Sequence, residues 1–148
     1  MKTTIPRTAA TFLALALGAA VAHASARLPP VQTSGSVEYL SGGIGQSESS
    51  AIERASAHWP LTLEFAIHAR PRDEFAADVK VRVRDAQGHT ALEATSDGPF
   101  LLARLGPGHY AVEATLAGRT LHEKVSVEAG HPAKAVFVFP AGTDAGHA

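Results

Sequence analysis

The stretch from Ala94 to Val127 most constrains the fold, because three glycine-containing breaks divide it into short extended segments. The breaks are Asp97-Gly98-Pro99, Leu105-Gly106-Pro107-Gly108 and Ala117-Gly118. Glycine adopts positive φ at no steric cost, and proline fixes φ and removes a ladder donor, so such clusters end strands. Between the second and third breaks, one face of the chain carries Tyr110, Val112, Ala114 and Leu116. This period of two predicts antiparallel strands with one buried face.

The same alternation recurs on both sides of this stretch. Apolar and polar residues alternate from Leu61 to Ile67 and from Val79 to Val83, and Thr90 to Thr95 follows a turn. The last predicted strand, Ala133 to Phe139, has apolar residues on both faces, so we expect both to be covered. About seven short strands, with turns roughly every ten residues, predict a single all-β, antiparallel β-sandwich.

One segment has helical spacing instead. Ile52, Ala55 and Trp59 share one helical face, and a proline follows directly. Ser50 and Glu53 fit a capping box, with Ser47 and Ser49 as alternative caps. We therefore predict a helix over residues 48–58. A helix this short is marginal alone, so it must pack on the sandwich. Trp59 is expected to pack in the core, with an exposed stacking role as the alternative.

The first 26 residues are typical of a secretory signal peptide. Lys2 and Arg7 precede an apolar run, Ala9 to Ala22, and cleavage sites with small residues follow it, ending at Ala24 or Ala26. The apolar run is shorter than the roughly 20 residues that span a bilayer. We therefore predict export to the periplasm and no membrane anchor after cleavage.

Charge and cysteine content exclude several classes of function. The chain has 13 Lys and Arg against 14 Asp and Glu, and cleavage would remove Lys2 and Arg7, which leaves the mature protein more acidic. Without a basic block, binding to nucleic acid or to an anionic membrane is not expected. The absence of cysteine excludes disulfides, thiol nucleophiles and cysteine-based zinc sites.

The remaining segments are assigned by composition. Residues 27–46, which contain Pro29-Pro30 and a glycine-rich loop, are predicted to be a linker and loop, with Val37 to Leu40 as a candidate strand. Residues 47–139 then form the one sandwich domain, including its preceding helix. The small polar residues 140–148 are predicted to be a disordered tail.

The segment from Val79 to Val127 resembles the carboxypeptidase regulatory-like domain, a transthyretin-like (prealbumin-like) β-sandwich. The matching residues are Val79-Lys80-Val81, Thr95, Asp97-Gly98-Pro99-Phe100, Leu105-Gly106-Pro107-Gly108-His109-Tyr110, Gly118 and Val125-Ser126-Val127. The resemblance implies that Phe100 and Tyr110 fill the core. It implies no peptidase activity, because that family's zinc peptidase is a separate domain whose His-x-x-Glu pair is absent from this sequence. The whole layout is similar to small exported proteins of Gram-negative bacteria that carry this domain alone.

Three histidines are the candidate metal ligands. His68, His109 and His122 fall on the polar sides of their predicted strands. If those strands are neighbours, the imidazoles meet on one outer face and bind Zn²⁺ or Cu²⁺. The alternative is three unrelated surface histidines, and in that case the protein has no metal site and no cofactor.

Other chemical motifs are weak. The loop Gly42-Gly43-Ile44-Gly45 precedes a helix, as anion-binding loops do, but no Lys-Ser or Lys-Thr pair follows it. The sequence has no G-x-S-x-G nucleophile motif. It therefore predicts a non-enzymatic periplasmic β-sandwich that binds an unidentified ligand or packs against a partner through sheet edges or end loops, with another periplasmic or envelope protein as one candidate. The alternative is a small periplasmic metal- or ligand-binding protein that uses the histidines.

Overall fold

The computed structural model describes residues 27–143, so the predicted signal peptide and the end of the predicted tail lie outside the described residues. This part of the chain contains one helix, α1 (Gln46–Ser56), and ten strands. The strands are β1 (Gln32–Ser34), β2 (Val37–Gly42), β3 (Leu61–Ile67), β4 (Glu74–Phe75), β5 (Val79–Arg84), β6 (Thr90–Ser96), β7 (Phe100–Ala103), β8 (Gly108–Leu116), β9 (Arg119–Val127) and β10 (Ala133–Phe139). Between residues 27 and 143 no helix has the length and hydrophobicity of a membrane span.

The strands form two sheets, which confirms the prediction of a mostly β fold. The first sheet has the order β1-β2-β7-β3-β10, with β4 beside β3, and the second has the order β6-β5-β8-β9. Apolar side chains of both sheets share one core, in which the inner row of β3 lies with the valines of β5 and with Val112 and Ala114 of β8. The alternation that predicted these strands therefore also predicted the faces that they bury.

The last strand runs in an unexpected direction. Strand β10 pairs with β3 in parallel, so that Ala133 lies opposite Leu61 and Phe139 opposite Ile67. The prediction of a purely antiparallel sandwich is wrong at this pair. Alternation specifies which face a residue occupies, but it carries no information on the direction of the neighbouring strand. The chain between β3 and β10 builds the whole second sheet, and this long connection lets β10 start at the same end as β3.

The segment predicted as a linker contributes two strands, and the number of strands exceeds the predicted seven. β1 and β2 form a hairpin in which Thr33 pairs with Glu38, and Gly35 takes a φ of 58° at the turn. Strand β2 then pairs with β7, which places it inside the first sheet. Sequence patterning missed β1 because it has only three residues, and missed the full length of β2 because both of its faces are buried.

The helix begins and ends two residues before its predicted bounds. Its N-cap residue is Gly45, and the predicted capping box of Ser50 and Glu53 does not form at this terminus. Instead, the Glu48 carboxylate in the first turn accepts a hydrogen bond of 2.8 Å from the backbone N–H of Gly43. The helix therefore starts where this carboxylate reaches back to the loop, not at a serine.

The predicted packing of the helix on the sheet is confirmed. Ile52 is fully buried and lies in a second apolar cluster on the outer face of the first sheet, together with Leu40, Trp59, Phe100 and Leu102. Phe100 therefore belongs to the core beneath the helix and not to the core between the sheets. The helix covers β2 and β7, and this leaves the outer face of β10 outside its reach.

The expectation that both faces of β10 are covered is wrong. Phe137 and Phe139 are buried between the sheets, whereas Val136 and Val138 remain 46% and 42% exposed. The doubly apolar pattern of this strand thus reflects one buried face and one open apolar face.

Candidate functional site

The structure does not bring the three candidate histidines together. His68 directly follows β3 in the first sheet, whereas His109 and His122 lie on β8 and β9 of the second sheet. His109 is opposite Ser126 and His122 is opposite Glu113, so the two positions are four residues apart along β9. That spacing is about 13 Å along a strand, which is too far for both imidazoles to bind one ion. The condition for a shared site, that the three strands are neighbours, is not met.

Each of these imidazoles lies near another polar group. The Nδ1 atom of His68 is 2.9 Å from Asp73 Oδ1, and that of His109 is 2.9 Å from Ser126 Oγ. His122 Nδ1 is 4.0 Å from Glu113 Oε1. Within residues 27–143 no three His, Asp or Glu side chains are placed to hold a metal ion. The geometry therefore favours the alternative of separate surface histidines.

The glycine-rich loop before the helix holds a carboxylate of the chain itself. The N–H of Gly43 points at Glu48, which takes the position that a bound anion would need. Gly43 also lies against Phe100, because a Cβ built at Gly43 would come within 2.5 Å of the Phe100 ring. This loop thus has a structural explanation in the packing of the helix on the sheet.

A cleft of about 360 Å³ lies at one end of the molecule, between the end of α1, the β7–β8 loop and the β9–β10 loop. Trp59 forms part of its wall but is only 5% exposed. The guanidinium carbon of Arg104 lies 4.0 Å from the centroid of the Trp59 ring, and its Nε atom is 3.3 Å from Glu38 Oε2. Because Arg104 covers the ring, the alternative role of Trp59 as an exposed stacking surface is wrong.

The outer face of the second sheet carries a row of charged side chains that ends at a histidine. Glu93, Arg82, Glu113 and His122 are successive cross-strand neighbours on β6, β5, β8 and β9. Arg82 donates a hydrogen bond of 2.9 Å to Glu93. This hydrogen bond and the negative charges of Glu93 and Glu113 raise the pKa of Arg82. Charges of both signs keep a sheet face solvated and offer no single-sign patch to a charged partner.

The sheet edges differ in how they are protected. Strand β1 has three residues, and the exposed side chains of edge strand β9 include Arg119, His122, Glu123 and Lys124. At the edge of β6, the hydroxyl of Ser34 on β1 bonds both backbone groups of Glu93. Short length, charge and a covering segment are the ways in which proteins protect sheet edges. Among the described strands, only β10 is a long edge with apolar exposed side chains.

The free backbone groups of β10 can be assigned from the bonds at its two ends. The Ala133 N–H bonds to the Pro60 carbonyl, and the Phe139 carbonyl accepts from the His68 N–H. Odd-numbered residues of β10 therefore direct their backbone groups toward β3. Because successive residues of a strand point to opposite sides, Lys134, Val136 and Val138 direct their N–H and C=O groups away from the sheet. Within the described chain β10 pairs with no other strand.

An apolar row extends from this edge across the outer face of the first sheet. Val138 is the cross-strand neighbour of Ala66, and Ala66 is the neighbour of Phe75 on β4. Phe75 is 59% exposed, and its ring centroid lies 5.7 Å from that of Phe100 in the cluster beneath the helix. We call Val136, Val138, Ala66 and Phe75 the apolar row. It joins an unpaired strand edge to exposed apolar surface, which is the composition of a binding surface.

A groove lies on the inner side of the same edge, between β10 and β9. Its lining consists of Glu123, Lys124, Val125 and Ser126 from β9, and Ala133, Lys134, Ala135 and Val136 from β10. The two alanines are small and only partly buried, so space remains beside them. We call this the β9–β10 groove. The sequence pattern does not predict the edge or the groove, because apolar residues on both faces of β10 fit a covered strand as well as an open edge.

No protein-family model matches the chain, and no curated protein matches it. The interpretation of the site therefore depends on the geometry described above.

Proposed function

We propose that this protein is an exported, non-enzymatic β-sandwich of the transthyretin-like type that binds an extended segment of another envelope protein along strand β10. The observation that carries the proposal is the unpaired edge of β10, where Lys134, Val136 and Val138 direct their backbone groups outward. An extended peptide can add to such an edge by main-chain hydrogen bonds, while pockets for its alternate side chains provide specificity.

The apolar row supports a protein partner. Val136 and Val138 each expose nearly half of their surface, and the exposed Phe75 lies on the same face of the sheet. A flat edge of this kind promotes uncontrolled association unless it is covered. The other edges within the described residues are short, charged or contacted by another strand, whereas the one charged side chain of β10, Lys134, is paired with Glu64. A strand that normally covers β10 accounts for its exposed valines.

The transthyretin-like assignment is supported by pattern and by arrangement. The segment that resembles this family, Val79 to Val127, supplies the whole of β5, β6, β8 and β9 and thus the entire second sheet. Export is supported by the composition of residues 1–26. The alternative metal-binding function has no comparable support, because the candidate histidines lie on different sheets.

Site-specific photocrosslinking in the cell envelope tests the proposal. A photoreactive amino acid placed at Val136 or Val138 should capture the same identified protein, with the crosslink mapped to one extended segment of it. The same probe at Thr120, an exposed residue on edge strand β9, is the control and should not capture that protein. Capture by the probe at Thr120 alone would refute the proposed site. So would the absence of capture by the probes at Val136 and Val138 in cells whose envelope proteins are present at normal levels.

Val136→Pro provides a second test. Proline removes the outward N–H of Val136 but no bond to β3, and sheets accept proline where the N–H faces solvent. We expect it to abolish capture through a probe at Val138 and to leave the protein folded. Ala135→Pro is the matched control, because it removes a bond to β3 and should unfold the edge itself. A Val136→Pro protein that is folded and still captures the partner would contradict strand addition.

A further inference from the structure

Glu123 gives the β9–β10 groove a specific charge. It is the cross-strand neighbour of Val112, which is 1% exposed and belongs to the core between the sheets. Cross-strand neighbours share a face, so Glu123 lies on the inner row of β9, between the partly buried Leu121 and Val125. A carboxylate therefore occupies an inward position at the open side of the molecule.

This carboxylate has no cation beside it. Within residues 27–143 no Lys, Arg or His nitrogen lies within 4.0 Å of a Glu123 carboxylate oxygen. Lys134 pairs with Glu64 at 2.6 Å. Lys124 is the neighbour of Ala111 and therefore lies on the outer face of β9, not on the inner row. The groove, which Lys124, Ser126 and Lys134 also line, therefore holds one carboxylate that has no cation within 4.0 Å among the described residues.

A strand added at β10 would place every second side chain over this groove. Side chains on the outer face would lie beside Val136 and Val138, and those on the inner face would point past Ala135 toward β9. Ala133 and Ala135 leave room for large side chains at the inner positions. Among these, the side chain that meets Glu123 loses part of its hydration, and a like charge there would be repelled.

We infer that the segment bound by β10 carries a lysine or arginine on its inner face, flanked on that face by apolar side chains, and that this cation pairs with Glu123. This inference rests on the strand addition proposed above. It specifies the chemistry of the partner: an extended basic–apolar segment, distinguished from acidic segments by the charge of Glu123.

A tethered strand tests the inference without knowledge of the partner. The full chain is extended after Ala148 by a flexible Gly/Ser linker and then by one of two strands, TVTKTVT or TVTETVT. A short flexible linker gives an effective concentration in the millimolar range, so that weak pairing is still measurable as a rise in Tm. Amide hydrogen exchange at Val136 and Val138 reports directly whether the added strand is bonded to the edge.

We expect the lysine strand, TVTKTVT, to protect the amides of Val136 and Val138 from exchange. The protein that carries it should have a Tm about 3 °C above that of the protein with the glutamate strand, TVTETVT. The order should reverse in Glu123→Lys and disappear in Glu123→Gln. If both strands protect the edge and raise Tm equally, in wild type and in Glu123→Lys, the inference about Glu123 is wrong and strand addition stands. If neither strand protects Val136 and Val138, strand addition at β10 itself is wrong.

Discussion

The hydroxyl of Ser34 bonds both backbone groups of Glu93. Its Oγ atom accepts a hydrogen bond of 3.1 Å from the Glu93 N–H and donates one of 3.0 Å to the Glu93 carbonyl. One side chain of β1 thus takes the place of a neighbouring strand at the edge of β6. Hydrogen bonds thus join the two sheets on this side of the molecule. On the other side, β9 and β10 pack against each other without pairing, and among the described strands no strand bonds to the outer edge of β10.

Removal of the Ser34 hydroxyl should destabilise the contact between β1 and β6. Ser34→Ala leaves two backbone groups of Glu93 to water, and we expect a loss of about 0.5–1.5 kcal/mol in the free energy of unfolding. Urea denaturation measures it. Ser36→Ala is the control, since Ser36 is exposed and its hydroxyl makes no hydrogen bond within the described residues. Equal stability of the two variants would show that the bonds to Glu93 contribute nothing.

The helix should depend on Ile52 for its attachment to the sheet. The Ile52 side chain is fully buried between the helix and the sheet. Ile52→Ala therefore leaves a cavity and is expected to lower the free energy of unfolding by about 2–5 kcal/mol. Ile44→Ala removes the same atoms at a position that is 70% exposed, and it should change stability by no more than about 0.5 kcal/mol. Thermal or urea unfolding of the pair measures the difference. A small cost at Ile52 would mean that the helix is not a fixed part of the fold.

Most of the second sheet could be predicted from the sequence, because alternation and turn residues are local signals. Val79 to Arg84 and Gly108 to Leu116 show the period of two, and each lies between turns. The same signals could not predict that β10 lies parallel to β3. Nor could they place His68 relative to His109, because pairing between distant strands is decided by the packing of the whole core.

The candidate site shows the same limit. Every position from Val136 to Phe139 is apolar. This pattern fits a strand that is buried on both faces, and it fits equally well an edge strand with one exposed apolar face. Only the position of α1 over β2 and β7 distinguishes the two. The inward position of Glu123 required the register with Val112, which depends on the turn at Ala117-Gly118.

Arg104 should shield the single tryptophan of the chain from solvent. Its guanidinium covers one face of the Trp59 ring at 4.0 Å. In Arg104→Ala that face becomes hydrated, so we expect a red shift of the fluorescence emission and a loss of about 0.5–2 kcal/mol in stability. Glu38→Gln removes the ion pair but leaves the stacked cation, and its emission should stay close to that of wild type. If Glu38→Gln shifts the emission as far as Arg104→Ala, the ion pair and not the stacking shields Trp59.

Tyr110 should make stability fall with pH in the alkaline range. Its hydroxyl donates a hydrogen bond of 2.6 Å to the Gly106 carbonyl across the turn before β8. Burial, and secondarily the charge of Asp85, raise the pKa of Tyr110 above its ordinary value of 10.0. The unfolded chain therefore loses this proton at a lower pH than the folded protein. The stabilising contribution is complete below about pH 10 and is lost as the pH rises through the folded pKa.

Two measurements test this sign. In a Tyr39→Phe background Tyr110 is the one remaining tyrosine, and its phenolate absorbance should appear above pH 10.0. Tyr110→Phe has no such proton to lose, so its Tm should fall less steeply than that of wild type as the pH is raised past about 10. At neutral pH the same variant should lose about 0.5–1.5 kcal/mol with the hydrogen bond to Gly106. A phenolate that forms below pH 10.0 in the folded protein would show that burial does not control this group.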